Sequence, residues 1–348
     1  MTASRRRISA LSAAAIAATL LLAGCAGAAP AETQTSAPTA TETLTAEPTP
    51  TPTATPASMQ LPFDGDCNSV FTAEQLNELV GEAELDEPWG ADLPPEETLG
   101  LLSCRWNGEL STLEAIVAPA DSVVDFPLDR YVMSDCGSAG YYYCGAVGGD
   151  SETWILVATL ISSDSAADLQ RANTALGYVE AASHNYPQPV ALKTEKDWWS
   201  LPSCDELDSR LDMAAILGRT ASEPVYHSDN IPSGPTWDLL EGAGRTQWCP
   251  WTVSDGSPYD TESKVVEIEI WPGAADTDAM QKLIAIEGIE PIDVAGADSA
   301  YIGPGLAYSG TYTSLYVIDG PNVMQVYGLD GDSAGLSAVA TAVLEQLQ

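Results

Sequence analysis

Hydrophobic positions follow three different patterns along the 348-residue chain. From Ile8 to Leu22 they form an uncharged, mostly apolar run, which directly follows three arginines, Arg5, Arg6 and Arg7. From residue 26 to residue 60 they are sparse among Ala, Thr, Pro, Glu and Ser. Beyond residue 60 they recur with the periods of helices and strands. The pattern therefore predicts an N-terminal hydrophobic segment, a polar low-complexity segment and a folded part.

The folded part contains one pattern twice, and each copy begins with a short amphipathic helix. Cys67 precedes Gly81 by 14 positions, and Cys204 precedes Gly218 by the same distance. Between these residues, apolar side chains at i, i+3 and i+4 define one helical face. The faces consist of Leu76, Leu79 and Val80, and of Met213, Ile216 and Leu217. Matching positions predict N-terminal caps, which are Thr72 with Gln75 and Ser209 with Asp212.

Strand patterns follow a Cys-x-Trp motif in each copy, at residues 104–106 and 249–251. After the second motif, Val266, Ile268 and Ile270 alternate with Glu267 and Glu269, and this period of two predicts a half-buried strand. Two more strands and a helix close each copy. The predicted closing strands are residues 141–147 and 154–161 in the first copy, and residues 314–318 and 323–329 in the second.

The order of elements, a helix, a group of strands and a final helix, predicts an α+β fold with a mainly antiparallel sheet. We expect two tandem homologous domains, residues 61–186 and 204–348, each with flanking helices. Residues 187–203 between them, with Pro187 and Pro189 at the start and Pro202 near the end, predict a linker. Trp198 and Trp199 within it are expected to pack at the junction of the two domains.

The N-terminal pattern predicts export. A basic start, an apolar middle and small residues before a cleavage point are typical of a secretory signal. The run ends in Leu22-Ala23-Gly24-Cys25, which resembles the lipobox of bacterial lipoproteins. The resemblance implies that residues 1–24 are a signal peptide and that Cys25 carries a diacylglycerol. The protein would then be extracytoplasmic, anchored by lipid to the outer face of the cell membrane, and residues 25–60 would form a disordered Pro/Thr-rich stalk.

The remaining six cysteines are Cys67, Cys104, Cys136, Cys144, Cys204 and Cys249. An even number in an exported protein indicates disulfides, and the repeat indicates their pairing. Cys67–Cys104 and Cys204–Cys249 are expected as equivalent bonds that staple the first helix of each copy to its first strand. Cys136 and Cys144 then remain and are expected to pair in the first copy alone.

Charge narrows the range of partners. The chain has 13 basic and 50 acidic residues, and removal of residues 1–24 would leave 10 minus 50, or −40. A surface this acidic repels phosphate backbones and anionic headgroups, so nucleic acid is excluded as a partner. Phosphate-loop, dinucleotide and His-Glu-x-x-His motifs are missing from the sequence, and neither a cofactor nor a metal is expected.

Together these features resemble actinobacterial lipoproteins that carry a domain of unknown function. The motifs that carry the resemblance are the exported Cys25, the stalk, a Cys–helix–Leu-Gly segment, Cys-x-Trp, and Asp298-Ser299-Ala300-Tyr301 before the closing hairpin. The resemblance implies a surface location and no defined activity. A weaker similarity, to the disulfide-linked sensor ectodomains of mycobacterial receptor kinases, implies recognition of a ligand.

The sequence offers no catalytic residues. The Gly-x-Ser-x-Gly motif of α/β-hydrolases does not occur, and His184 and His227 are interpreted as surface residues. We therefore expect a non-enzymatic module that binds or senses an envelope ligand or protein partner through a cleft between the two copies. The alternatives are a solute-binding lipoprotein of a transporter, which would have alternating strands and helices, and a cell-wall hydrolase.

Overall fold

The computed structural model describes residues 60–86, 94–132, 143–160, 165–224, 234–254, 264–304, 313–328 and 332–348. Cys25, the predicted signal peptide and all of the predicted stalk except Gln60 lie outside these ranges. The described chain is α+β with two antiparallel sheets, which confirms the predicted fold class. None of the helices in these ranges is long and apolar enough to span a bilayer.

The N-terminal half, residues 60–186, contains the first sheet. Its order is β1-β2-β3-β5-β4, and every pairing is antiparallel. One face of this sheet packs against the first and last helices around the buried Trp106. The elements are α1 (Ala73–Val80), β1 (Ala83–Leu85), α2 (Pro94–Leu99), β2 (Leu102–Gly108), β3 (Thr112–Pro119), β4 (Tyr143–Gly149), β5 (Thr153–Leu160) and α3 (Ser165–Ser183).

The C-terminal half, residues 204–348, contains the second sheet, in the order β6-β7-β8-β12-β11-β10-β9. Its first five strands repeat the strand order of the first sheet, and β10 and β9 extend it. The elements are α4 (Cys204–Arg210), α5 (Met213–Ile216), β6 (Ala221–Pro224), α6 (Pro235–Gly242), β7 (Gln247–Ser254), β8 (Lys264–Trp271), α7 (Asp278–Ile284), β9 (Glu290–Pro291), β10 (Ser299–Pro304), β11 (Thr313–Asp319), β12 (Asn322–Gly328) and α8 (Ser333–Leu347).

Corresponding residues occupy corresponding positions in the two sheets. Trp106 in β2 pairs with Leu113 in β3, and Trp251 in β7 pairs with Val266 in β8. Val266, Ile268 and Ile270 are fully buried, as their alternation predicts. Both tryptophans are buried as well, so each Cys-x-Trp motif anchors the core of its own half.

Two of the predicted disulfides are present. Cys67–Cys104 ties the turn before α1 to β2, and Cys204–Cys249 ties the start of α4 to β7. Cys144 in β4 is also disulfide-bonded. Its predicted partner, Cys136, lies outside the described residues.

The predicted N-terminal helix cap is confirmed in the first half and wrong in the second. Thr72 caps α1 in a complete capping box with Gln75, as predicted. The predicted Ser209 cap is wrong, because the helix that carries Met213 and Ile216 is α5, which is capped by Asp212. Ser203 and Glu206 form the full capping box of the separate helix α4. Ser209 lies inside α4 and donates its hydroxyl to the carbonyl of Glu206 at 2.8 Å. The local reason is that Leu211 has an extended backbone, which ends α4 before α5 begins.

The two halves share an apolar contact. The face of the first sheet opposite α1 and α3 packs against α6, a helix of the C-terminal half. In return, α2 of the N-terminal half contacts α7 of the C-terminal half. The buried residues of the first contact are Leu99, Leu101, Ile116, Ala118, Tyr131, Leu156, Leu239 and Leu240. The described residues all belong to one compact unit.

Candidate functional site

A cleft of about 650 Å³ lies where the two halves and residues 187–203 meet, and we call it the central cleft. Its volume falls within the range of small-molecule sites, roughly 300–1,000 Å³. Its walls come from three parts of the chain. The N-terminal half contributes Leu99, Ser122 and Val124, the linker contributes residues 188–194, and the C-terminal half contributes Ala243 and Arg245.

The linker segment, residues 187–203, is held across this cleft by hydrogen bonds. The amide of Val190 donates to the carbonyl of Gln60 at 2.9 Å, and the amide of Leu192 donates to the carbonyl of Thr98 at 3.0 Å. The Thr153 hydroxyl donates to the side-chain oxygen of Gln188. A segment that the sequence predicts as a plain linker is therefore a fixed wall of the cleft.

Arg245 is positioned by the end of α6. The amide of Gly244 bonds to the carbonyl of Glu241 at 2.9 Å, and the amide of Arg245 bonds to that of Leu240 at 2.8 Å. These two bonds form a Schellman motif, which requires a left-handed residue at its turn. Gly244, with φ +63°, supplies that conformation. The motif reverses the chain after α6 and places Arg245 in the wall of the cleft.

The Arg245 side chain is buried, with 7% of its surface exposed. Its guanidinium lies over the ring of Trp198, with Cζ 4.6 Å from the ring centre. Nη2 donates to the carbonyl of Leu192 at 2.8 Å, and Nη1 donates to the hydroxyl of Thr194 at 3.4 Å. Nε has no hydrogen-bond partner among the described residues. Burial lowers the pKa of this guanidinium, since water no longer solvates its charge.

Both predicted junction tryptophans are packed. Trp198 is half-buried beneath Arg245, and Trp199 is buried in the core of the C-terminal half. The amide of Trp199 donates to Asn322 Oδ1 at 2.9 Å. A second, open cleft of about 780 Å³ lies beside this segment and is lined by Lys196, Arg210 and the turn between β11 and β12.

The contact between α6 and the first sheet, beside the central cleft, contains a buried carboxyl group. Glu114 in β3 is 9% exposed and accepts a hydrogen bond from the hydroxyl of Thr236, in α6, at 3.4 Å. The Thr236 hydroxyl also lies 2.7 Å from that of Ser103. Burial raises the pKa of Glu114 to about 7, although the charge of Arg105 and the Thr236 bond favour ionisation. The carboxyl group is therefore half-protonated near neutral pH.

Two further polar contacts hold the halves together. Asp238 in α6 accepts hydrogen bonds from the Tyr131 hydroxyl at 2.9 Å and from Arg130 Nη1 at 3.0 Å. Glu97 in α2 accepts the amide of Ala279, in the first turn of α7, at 3.1 Å. Burial raises the pKa of Glu97. The contact thus combines an apolar centre with charged groups from both halves.

A second group of acids lies on the C-terminal sheet. Trp248 Nε1 donates to Glu267 Oε2 at 2.9 Å, and the Tyr327 hydroxyl donates to Glu269 Oε1 at 3.3 Å. Burial raises the pKa of Glu269 to about 7, with the charge of Glu267 adding to the effect. The alternating pattern of β8 predicts a solvent-facing side here, whereas both glutamates are only half-exposed.

The remaining sequence predictions concern metal binding, the two histidines and the lipidated cysteine. No group of three or more His, Cys, Asp or Glu side chains there is arranged to hold a metal ion. His184 is exposed and directly follows α3, which agrees with its interpretation as a surface residue. His227 lies outside the described residues, as does Cys25, the predicted lipidation site.

The chain matches no family model, no curated protein and no solved structure at a significant level.

Sequence reasoning predicted a cleft between the copies but did not find Arg245 or Glu114. One signal was available for Arg245. It is one of only 13 basic residues in a chain with 50 acids, and it follows Gly244 directly after a short helix. For Glu114, the signal was a carboxyl group within the apolar run of residues 113–118.

Proposed function

We propose that this chain is a lipid-anchored lipoprotein of the cell envelope that binds or senses a ligand or partner without catalysing a reaction. The central cleft is the observation that carries the proposal. It has the size of a ligand site, and its walls come from both halves and from the linker segment. A site of this construction exists only when all three parts of the chain are folded together.

The proposal includes two tandem homologous domains as the scaffold. Its support is the matching strand order of the two sheets, the equivalent disulfides and the equivalent pairing of Trp106 and Trp251. A solute-binding protein of a transporter is the alternative, and it would be built on alternating strands and helices. All sheet pairings among the described strands are antiparallel, which favours the first proposal.

The lipid anchor rests on the N-terminal sequence and is tested separately. Cells that express the chain are labelled with an alkyne analogue of palmitate, and the chain is isolated from the membrane fraction. We expect label on the wild type and none on a Cys25→Ala variant. Equal labelling of the two would refute the assignment of Cys25.

Binding at the cleft is tested by photo-crosslinking on intact cells. A photoreactive phenylalanine replaces Val124, which is 46% exposed and lines the cleft. The control places it at Leu110, which is 57% exposed and lies outside the cleft. We expect a defined adduct from position 124 alone. Equal adducts from both positions, or none from position 124, would refute the cleft as the binding site.

A further inference from the structure

We propose that the central cleft binds a small monocarboxylate and that the Arg245 guanidinium receives its carboxylate group. This inference rests on the binding function proposed above and names the chemical class of the ligand.

Arg245 carries a charge that no neighbouring group among the residues described by the structure compensates. The side chain is more than nine-tenths buried, and its two hydrogen-bond acceptors, the Leu192 carbonyl and the Thr194 hydroxyl, are both neutral. No carboxylate in the described ranges forms an ion pair with it. A buried charge that lacks a counter-charge is strongly destabilising, because its lost hydration is not offset. A bound anion would remove that destabilisation.

The composition of the chain makes the lack of an acidic partner for Arg245, within the described part of the chain, unusual. Acidic residues outnumber basic ones by 50 to 13, so an acidic partner for a buried arginine is easy to supply from the protein itself. Arg105, Arg130 and Arg171 each have one within 4 Å. Arg245 differs from these three because it has none and also lines a cleft.

The Arg245 guanidinium is already held in a fixed orientation by its neighbours. The ring of Trp198 covers one face of the guanidinium, and the contacts with Leu192 and Thr194 fix its plane. A planar guanidinium held in this way presents its remaining N–H groups in the fork geometry that matches a carboxylate. Holding the side chain in place beforehand reduces the entropy that binding would cost.

The surroundings favour a small ligand with a single negative charge. Leu99, Val124 and Pro189 give the cleft an apolar wall, while Asp121, Glu152 and Lys193 line it with exposed charged side chains. Lys193 offsets only one of the two exposed carboxylates, and the acidity of the whole chain repels phosphates and other multiply charged anions. One carboxylate attached to a short apolar or peptide-like body satisfies both conditions.

The test is isothermal titration calorimetry with the full chain. The probes are acetate, butyrate and N-acetyl-alanyl-alanine, and the dipeptide is compared with its C-terminal amide. We expect the free acid of the dipeptide to bind at least tenfold more tightly than the amide. In an Arg245→Gln variant this preference should disappear. Arg210→Gln is the matched control, because it removes an exposed arginine that lines the other cleft, and it should bind as the wild type does.

A second variant keeps the test decisive if Arg245→Gln does not fold. Val124→Asp places a carboxylate at an exposed position of the cleft wall and should weaken binding of the acid at least tenfold by charge repulsion. Equal affinity for acid and amide, loss of binding in Arg210→Gln, or no binding of any probe at about 10 mM would each overturn the inference. An adduct from position 124 on cells, obtained together with any of these results, would leave the proposed function standing and remove only the ligand class.

Discussion

Ionisation of Glu114 should weaken the folded state at neutral pH, and a Glu114→Gln variant measures this effect directly. The substitution replaces the carboxyl group with an uncharged amide of nearly the same shape and keeps an oxygen to accept the Thr236 hydrogen bond. The pKa of Glu114 rises from 4.5 to about 7 in the folded protein because the group is buried. At about 1.4 kcal/mol for each pH unit, this interval corresponds to about 3 kcal/mol.

The sign follows from which state binds the proton more tightly. The folded state has the higher pKa, so the stability that protonated Glu114 contributes is complete below about pH 4.5 and is lost as the pH rises towards about 7. We therefore expect Glu114→Gln to match the wild type at about pH 4 and to exceed it by about 3 kcal/mol at about pH 8.

The assay is urea unfolding followed by tryptophan fluorescence at several pH values. Glu84→Gln, which removes an exposed carboxyl group in β1 of the same half, is the control and should change the unfolding free energy by less than about 0.5 kcal/mol. If Glu114→Gln has the same pH dependence as the wild type, or is less stable at about pH 8, the burial argument is wrong.

Two further predictions concern the linker and the disulfides. A Cβ at Gly273 would lie 2.1 Å from the ring of Trp198, so Gly273→Ala should displace that ring and speed proteolysis of the linker segment. Gly218→Ala carries a similar positive φ with no atom within 4 Å of the new Cβ, and it should leave the linker as resistant as in the wild type. Replacing Cys204 and Cys249 together by alanine should cost about 4 kcal/mol in the chain-entropy treatment of a bond that spans 45 residues. Chemical denaturation of the oxidised proteins measures this loss, and a loss below about 1 kcal/mol would contradict it.

The sequence predicts those parts of the fold that depend on neighbours along the chain. The Thr72 cap, the buried side of β8 and the two disulfides all follow from periodicity or from the internal repeat. Each of them is specified by residues within a few tens of positions. The repeat adds information because one pattern, seen twice, restricts the pairing of the cysteines.

The sequence does not predict features that depend on which distant surfaces meet. The short α6 has adjacent apolar residues, Leu239 and Leu240, and nothing in its pattern names the first sheet as their partner. The burial of Glu114 follows from that docking, and so does the position of Arg245 at the end of α6. Glu267 and Glu269 illustrate the same difficulty, because an alternating strand predicts which side they share but not how much of that side water reaches.

The docking of α6 on the first sheet has a consequence for the order of synthesis. A ribosome completes residues 60–186 before it reaches residues 235–242, so the N-terminal half is made while the helix that covers its sheet does not yet exist. Ile116 and Leu156 are buried against α6 in the finished protein, but α6 does not cover them during that interval. Exposed apolar strands of this kind are prone to aggregate. We therefore expect the apolar face of the first sheet to need a chaperone until residues 235–242 have been synthesised and can cover it.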